Sequence, residues 1–246
     1  MTGLYDFAGK KIAVTSIYPD LHRCYAGYET DGTPDFSVSI TQEDIEFEQT
    51  KSDREAAAEG IPQQTWPPQY LEELSAYRKI AEKMPDYDTV LFHGSVIAAD
   101  GEGFLFTAKS GTGKSTHTRL WRQMLGERAV MVNDDKPLLT VGQDGVTAHG
   151  TPYNGKHGLG CRMSVPLRGL CILQRGAENH IERISKAQVY PMLLQQVYRP
   201  QDALQLKKTL LLIDRLAAVT PLYRLSCNME PEAAEVAYRG MKGETV

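Results

Sequence analysis

The run Ala108–Thr116, AKSGTGKST, puts two cations, several hydroxyls and closely spaced glycines side by side. A backbone this small bends its N–H groups inward around phosphate oxygens. Lys114 adds a point charge for the outer phosphates and Ser115 a hydroxyl for Mg²⁺. Lys109, Ser110, Gly111, Thr112, Gly113, Lys114, Ser115 and Thr116 are therefore the expected phosphate site. A second constellation is Asn133-Asp134-Asp135-Lys136-Pro137. Adjacent carboxylates at a strand end beside a phosphate loop are where Mg²⁺ ligands and a catalytic base belong. A third is the glycine-dense stretch Gly150–Arg162, with Lys156, His157 and Arg162. It suits a loop that closes over an anionic substrate, with Lys156 or Arg162 neutralising developing charge.

These groups need elements to hold them. Phe104–Thr107 reads as a buried strand and Thr116–Leu125 as a helix whose N-terminus faces the anion. Thr89–Ala99 reads as one long strand, and the glycines of Asp100–Gly103 suit a tight hairpin turn. The phosphate loop is thus fed by an antiparallel hairpin, which predicts a mixed sheet. Ala129–Val132 is a short buried strand leading to the two aspartates. Leu138–Gly150 reads as a hairpin around Gln143-Asp144-Gly145. Val165–Leu173, interrupted by Pro166 and Gly169, reads as an edge or bulged strand. Helices are predicted over Gln188–Tyr198, Asp202–Val219 and Glu232–Met241, and a strand over Leu222–Cys227.

Upstream, Lys11–Ile17 and Asp35–Ile40 read as strands. Asp44–Glu48 alternates like a strand and could also begin a helix. Thr50–Gln64 reads as a mobile loop. Tyr70, Leu71, Leu74, Tyr77 and Ile80 recur at helical spacing over Gln69–Met84. His22 and Arg23 read as a surface pair, and His149 and His180 as surface or hairpin residues. The expected organisation is a small N-terminal α+β region, residues 1–88, followed by a nucleotide-binding catalytic domain, residues 89–246.

The 246 residues carry a net charge of −4, with 41% hydrophobic and 24% charged residues. Those values fit an ordinary globular protein and argue against a nucleic-acid footprint. No apolar run approaches the ~18 residues of a membrane span, and Met1–Lys11 has no signal-peptide core. Cys24, Cys161, Cys171 and Cys227 are scattered without a C-x-x-C pair, so reduced thiols in a cytoplasmic protein are expected.

Taken together, His93-Gly94, the hairpin, S-G-T-G-K-S and the Asp-Asp pair resemble the catalytic domain of HPr kinase/phosphorylase. The loop is also similar to that of ATP-dependent phosphoenolpyruvate carboxykinase. The resemblance covers about Thr89–Cys227, and GTPYNGK and VPLRGLCIL are similar to HPr-kinase-related bacterial proteins, some associated with peptide modification. The resemblance implies an α/β fold with a P-loop-containing mixed sheet of that type. It also implies an ATP- and Mg²⁺-dependent kinase acting on a hydroxyl of a peptide, protein or small metabolite. Carried over, it makes His93 approach the transferred phosphate, Ser115 and Asp135 hold Mg²⁺, and Asp134 act as base, with Lys114 on the phosphates. Ala108 stands where the motif has glycine, Thr116 where HPr kinases usually carry Glu, and the E-[IV]-R-G signature is absent. Those departures bear on HPr as substrate more than on phosphoryl transfer. The alternative is a non-catalytic ATP-binding regulatory module. No nucleic-acid or membrane partner is expected, and a homo-oligomer is left open.

Overall fold

The computed structural model describes residues 1–244, and the side chain of Lys156 lies outside the described residues. The chain divides into two compact units, Met1–Lys83 and Met84–Val246. Among the described residues, no helix is long and apolar enough to cross a membrane.

The first unit is a three-stranded sheet with three helices. Strands β1 (Thr2–Phe7) and β2 (Lys10–Thr15) pair antiparallel, and β3 (Phe36–Ser39) lies parallel to β2. Helix α1 (Asp20–Cys24) is short. Helix α2 (Gln42–Glu59) takes the helical of the two alternatives at Asp44–Glu48 and replaces most of the loop expected over Thr50–Gln64. Its cause is local chemistry. Thr41 Oγ1 accepts from the Asp44 N–H, and Asp44 accepts from the Thr41 N–H at 2.9 Å, a reciprocal cap. Ala56, Ala57 and Ala58 then favour the helix until Gly60, at φ +69°, ends it. Helix α3 (Pro68–Lys83) follows and buries Leu71, Ala76 and Ile80.

The second unit is an α/β layer structure on a mixed, curled sheet. Its strands are β4 (Thr89–Leu91), β5 (Ser95–Ala99), β6 (Glu102–Thr107), β7 (Ala129–Asn133), β8 (Leu138–Val141), β9 (Val146–His149), β10 (Ser164–Arg175), β11 (His180–Arg183) and β12 (Leu222–Cys227). The path runs β4-β8-β9-β10-β6-β5-β7, with β12 against β10 and β11. Between β5 and β6 the turn residues Asp100 and Gly101 sit at φ +54° and +81°, as a two-residue hairpin turn requires. The strand expected over Val165–Leu173 to be an edge or bulged strand is central, and it carries the bulge. β10 pairs with β9 at its start, then runs parallel to both β6 and β12. The proline is tolerated because a register break between Leu167 and Gly169 lies beside it.

Alternating residues send the two faces of this sheet into separate cores. Val96, Ala98, Leu105 and Ile172 pack with α5 (Lys186–Gln196) and α6 (Ala203–Val219). Ile97, Phe104, Phe106 and Leu173 pack with α4 (Lys114–Leu125) and α7 (Glu232–Lys242). Trp121 of α4 is fully buried there, against Phe104 and Phe106. Truncating a core tryptophan to alanine costs about 3–5 kcal/mol, so this contact anchors the helix behind the phosphate loop. Ala108 is buried in the same core. A methyl group therefore has a place where the motif has glycine.

Candidate active site

Sheet direction assembles the site. β5 is antiparallel to both β6 and β7, so β6 and β7 are mutually parallel and end at the same edge of the sheet. The phosphate loop leaves β6 there, and Asp134-Asp135 leave β7 there. β5 starts at that edge, which delivers the residues just before it, Phe92-His93-Gly94, to the same place.

The strand expected over Thr89–Ala99 is in fact broken at those three residues. β4 belongs to the β8 side of the sheet and β5 to the β6 side. The backbone N–H groups freed by the break are all used. Phe92 N–H donates to Pro137 O at 3.1 Å, His93 N–H to Gln196 O at 2.8 Å, and Gly94 N–H to Asp135 O at 2.9 Å. Glycine is needed at 94, because an added Cβ would lie 2.7 Å from Leu105 Cδ1 and 3.0 Å from Phe106 O. The break thereby ties His93 to the aspartate turn on one side and to the end of α5 on the other.

The side chains converge accordingly. Lys114 Nζ lies 3.2 Å from His93 Nε2, and His93 Nε2 lies 3.4 Å from Asp135 Oδ1. Asp135 Oδ2 accepts from Lys136 Nζ at 2.9 Å. His93 Nδ1 is 2.6 Å from Gln196 Oε1. An amide oxygen only accepts, so the proton of His93 sits on Nδ1 and its Nε2 lone pair is offered to the Lys114 ammonium. Burial, and then the nearby Lys114 charge, hold the His93 pKa below the usual histidine value. Burial also lowers the Lys114 pKa, against the opposing pull of Asp135 and Asp134.

Asp134 is buried, at 6% exposure, and its Oδ1 has no hydrogen-bond partner. An unpaired buried carboxylate oxygen is costly, so it marks a place where a partner belongs. Asn133 organises the turn beneath the pair. Its Oδ1 accepts from the N–H groups of Asp135 and Lys136 at 2.9 and 2.6 Å. Its Nδ2 donates to Thr151 Oγ1 at 2.9 Å and Asn154 Oδ1 at 3.0 Å. The loop Gly150–Arg162 is thereby fastened to the aspartate turn. At Gly155 its backbone passes so near that an added Cβ would lie 3.2 Å from Asp135 Cβ. Arg162 is exposed on this loop.

In the phosphate loop itself, Lys109, Ser110 and Gly111 are exposed, as is Ser115. Gly113 sits at φ +119° and precedes α4 without a side-chain cap. Arg175, at the end of β10, donates to Gly111 O at 2.6 Å. The structure thus brings together His93, Lys114 and Asp135, with Asp134 next in the chain. Lys136, within the aspartate constellation, joins them, and Gln196 and Arg175 do so without any signal in the sequence. Each of those two lies in an ordinary helix or strand pattern, and only the tertiary pairing makes it part of the site. Asn133 stands in the aspartate constellation, but its hold on Thr151 and Asn154 depends on residues distant in sequence.

A family model described as "SynChlorMet cassette protein ScmC" matches residues 62–235. The chain belongs to the ScmC family. The ScmC match takes in the phosphate loop, the aspartate pair and Gln196. No curated protein matches the sequence. Among solved structures, the HPr(Ser) kinase/phosphatase from Coxiella burnetii is similar over 62% of this chain and 97% of that one. The identity is 10% and the TM-score 0.36, too loose a likeness to carry residue roles across.

Proposed function

We propose that the second unit is an ATP-dependent phosphotransferase that uses Mg²⁺ and moves a phosphoryl group to a hydroxyl of a peptide, protein or small metabolite. The observation that carries this reading is the meeting of Lys114, His93 and Asp135 at one edge of the sheet, at 3.2 and 3.4 Å. Phosphoryl transfer asks a protein for positioning and charge neutralisation more than for covalent chemistry. Lys114, partly withdrawn from water, supplies a cation that interacts more strongly than it would in bulk solvent. His93, neutral with its proton on Nδ1, holds that ammonium toward the loop.

The residues present fit Mg²⁺ arriving with the nucleotide. Among the described residues, no three His, Cys, Asp or Glu gather as a resident metal cage. Mg²⁺ at a nucleotide site needs only one or two carboxylates, with phosphate oxygens and water completing its shell. Ser115 and Asp135 would hold it, and bound there it would neutralise phosphate charge. Asp134 would take the proton of the acceptor hydroxyl, since its Oδ1 accepts no competing hydrogen bond. The burial of Asp134 favours a second reading, in which the two carboxylates exchange roles and Asp135, beside His93, faces the acceptor.

Incubation with γ-labelled ATP and a cell extract tests the proposal. Labelled product is expected with wild type and not with Lys114→Ala. Asp134→Asn is expected to keep MgATP affinity within a few-fold and to lose ~10²-fold or more in transfer. The exchanged assignment gives that pattern to Asp135→Asn instead. If no label exceeds the Lys114→Ala control although MgATP binds, the chain is the regulatory module rather than the kinase.

A further inference from the structure

A cavity of about 510 Å³ adjoins the phosphate loop, away from the aspartate pair. Its size falls within the roughly 300–1,000 Å³ of small-molecule sites. Gly113 and Thr116, which flank Lys114-Ser115, form one wall, and His93, Asp134 and Asp135 take no part in its lining. A ligand with its phosphates on the loop and its reacting end toward the carboxylates therefore has its other end at this cavity. We propose that the cavity takes the nucleoside half of the ligand, a purine base with its ribose, and selects it by shape and stacking rather than by reading the base edge. The inference rests on the nucleotide reading above and extends it.

The walls carry the argument. Leu120 and Leu173 line the cavity with buried apolar surface. Met229 stands at its rim, 77% exposed, the most exposed large apolar side chain among the described residues. A flexible thioether at the mouth of an apolar cavity is suited to lie against an aromatic ring. Arg175 also lines it, held by its bond to Gly111 O, so its guanidinium spans from the phosphate loop to the cavity. That plane suits stacking on a base or donation toward a ribose or phosphate oxygen.

The groups best equipped to read a base edge are already engaged or closed off from the cavity space. Asn228 donates from Nδ2 to Ala177 O at 3.1 Å, and its Oδ1 accepts from Glu230 N–H at 3.0 Å. Its backbone N–H donates to Asn179 Oδ1. His117 Nε2 accepts from the Trp121 indole N–H at 3.1 Å, and its Nδ1, which has no hydrogen-bond partner, is buried out of reach of solvent. Weak discrimination between adenine and guanine follows, because strong discrimination needs a buried polar group left unpaired by the wrong base.

Calorimetric titration of the full chain with MgATP, MgGTP and Mg-tripolyphosphate tests this. Both nucleotides are expected to bind at least ten-fold more tightly than tripolyphosphate and within about ten-fold of each other. Met229→Ala, at an exposed position that leaves folding intact, is expected to weaken both nucleotides about five-fold and to leave tripolyphosphate unchanged. Cys227→Phe, which fills the cavity, should weaken both nucleotides further, with its melting temperature reported alongside. Nucleotides binding no more tightly than tripolyphosphate, or untouched by both variants, would overturn the cavity assignment while leaving the phosphate loop standing. A ten-fold or larger preference for one purine would overturn the shape-only selection. Nucleotide affinity that responds to Met229→Ala but ignores Lys114→Ala would uphold the cavity and refute the phosphate loop.

Discussion

Two helix starts in this molecule solve the same problem in opposite ways. Every helix begins with backbone N–H groups that have no intrahelical partner. At α2 the chain closes them itself, through the reciprocal cap between Thr41 and Asp44. α6 does likewise, with Asp202 Oδ1 accepting from the Gln205 N–H at 2.9 Å. At α4 the capping position is Gly113, which has no side chain to offer. Gly113 sits at φ +119°, and the first N–H groups of α4 have no side-chain acceptor there; on the proposed function they face the phosphates. A self-capped start closes its own N–H groups, whereas the start of α4 has no side-chain cap and stands beside the half-buried Lys114, as the proposed phosphate site requires.

Breaking each start should therefore have different consequences. The largest effect is expected from Gly113→Ala. An alanine at φ +119° is strained although space exists, the nearest contact being Thr116 Cβ at 3.9 Å. The loop should lose its shape, with nucleotide binding weakened more than ten-fold in calorimetry and the melting temperature only modestly lowered. Thr41→Ala should do the reverse. Loss of the cap costs about 1 kcal/mol of stability, read by urea unfolding of the full chain, and nucleotide binding should not change. Nucleotide affinity falling equally in both variants would erase the distinction between the two starts.

The site edge sharpens the comparison further. Gln196→Leu removes the acceptor that fixes His93 with its proton on Nδ1. Nitrogen chemical shifts of His93 should report the Nδ1–H form in wild type and a mixture in Gln196→Leu, with Gln196→Glu restoring it. An unchanged tautomer would show that the backbone bond to Gln196 O already orients the ring.

The last expected effect is on the pH dependence of stability. Behind the uncapped start, His117 is buried and its pKa is pushed down to about 3. The folded state keeps it neutral while the unfolded chain takes up a proton near the ordinary value of about 6.5. Stability is therefore full above that value and is lost progressively as pH falls toward 3, because the unfolded state binds more protons. The His93 shift acts in the same direction. Urea unfolding at pH 7 and pH 5 should show this loss, and His117→Phe should reduce it. An identical pH dependence in that variant would place the loss elsewhere.

Much of the second unit was legible because its signals are local. The Asp100-Gly101 turn, the glycines of the phosphate loop and the end of β7 at the aspartates each follow from neighbouring residues. What was not legible depends on partners distant in sequence. The broken strand at His93 arises because Phe92, His93 and Gly94 bond to Pro137, Gln196 and Asp135, which no local pattern announces. Gln196 looked like any polar residue on a helix, and Arg175 like the end of a strand. In the first unit the error ran the other way. The Thr41–Asp44 cap is a local signal, yet the charged, alanine-rich composition after it reads as a loop.

Lys114 is the group on which nucleotide binding turns. Titration of MgATP into wild type and Lys114→Ala isolates it, since a charge-assisted contact to phosphate contributes roughly 1.5–3 kcal/mol, or about ten- to a hundred-fold in affinity. Wild type is expected to bind MgATP, and Lys114→Ala to bind it at least ten-fold more weakly with its fold intact. Equal affinity of the two proteins would contradict the proposed phosphate site.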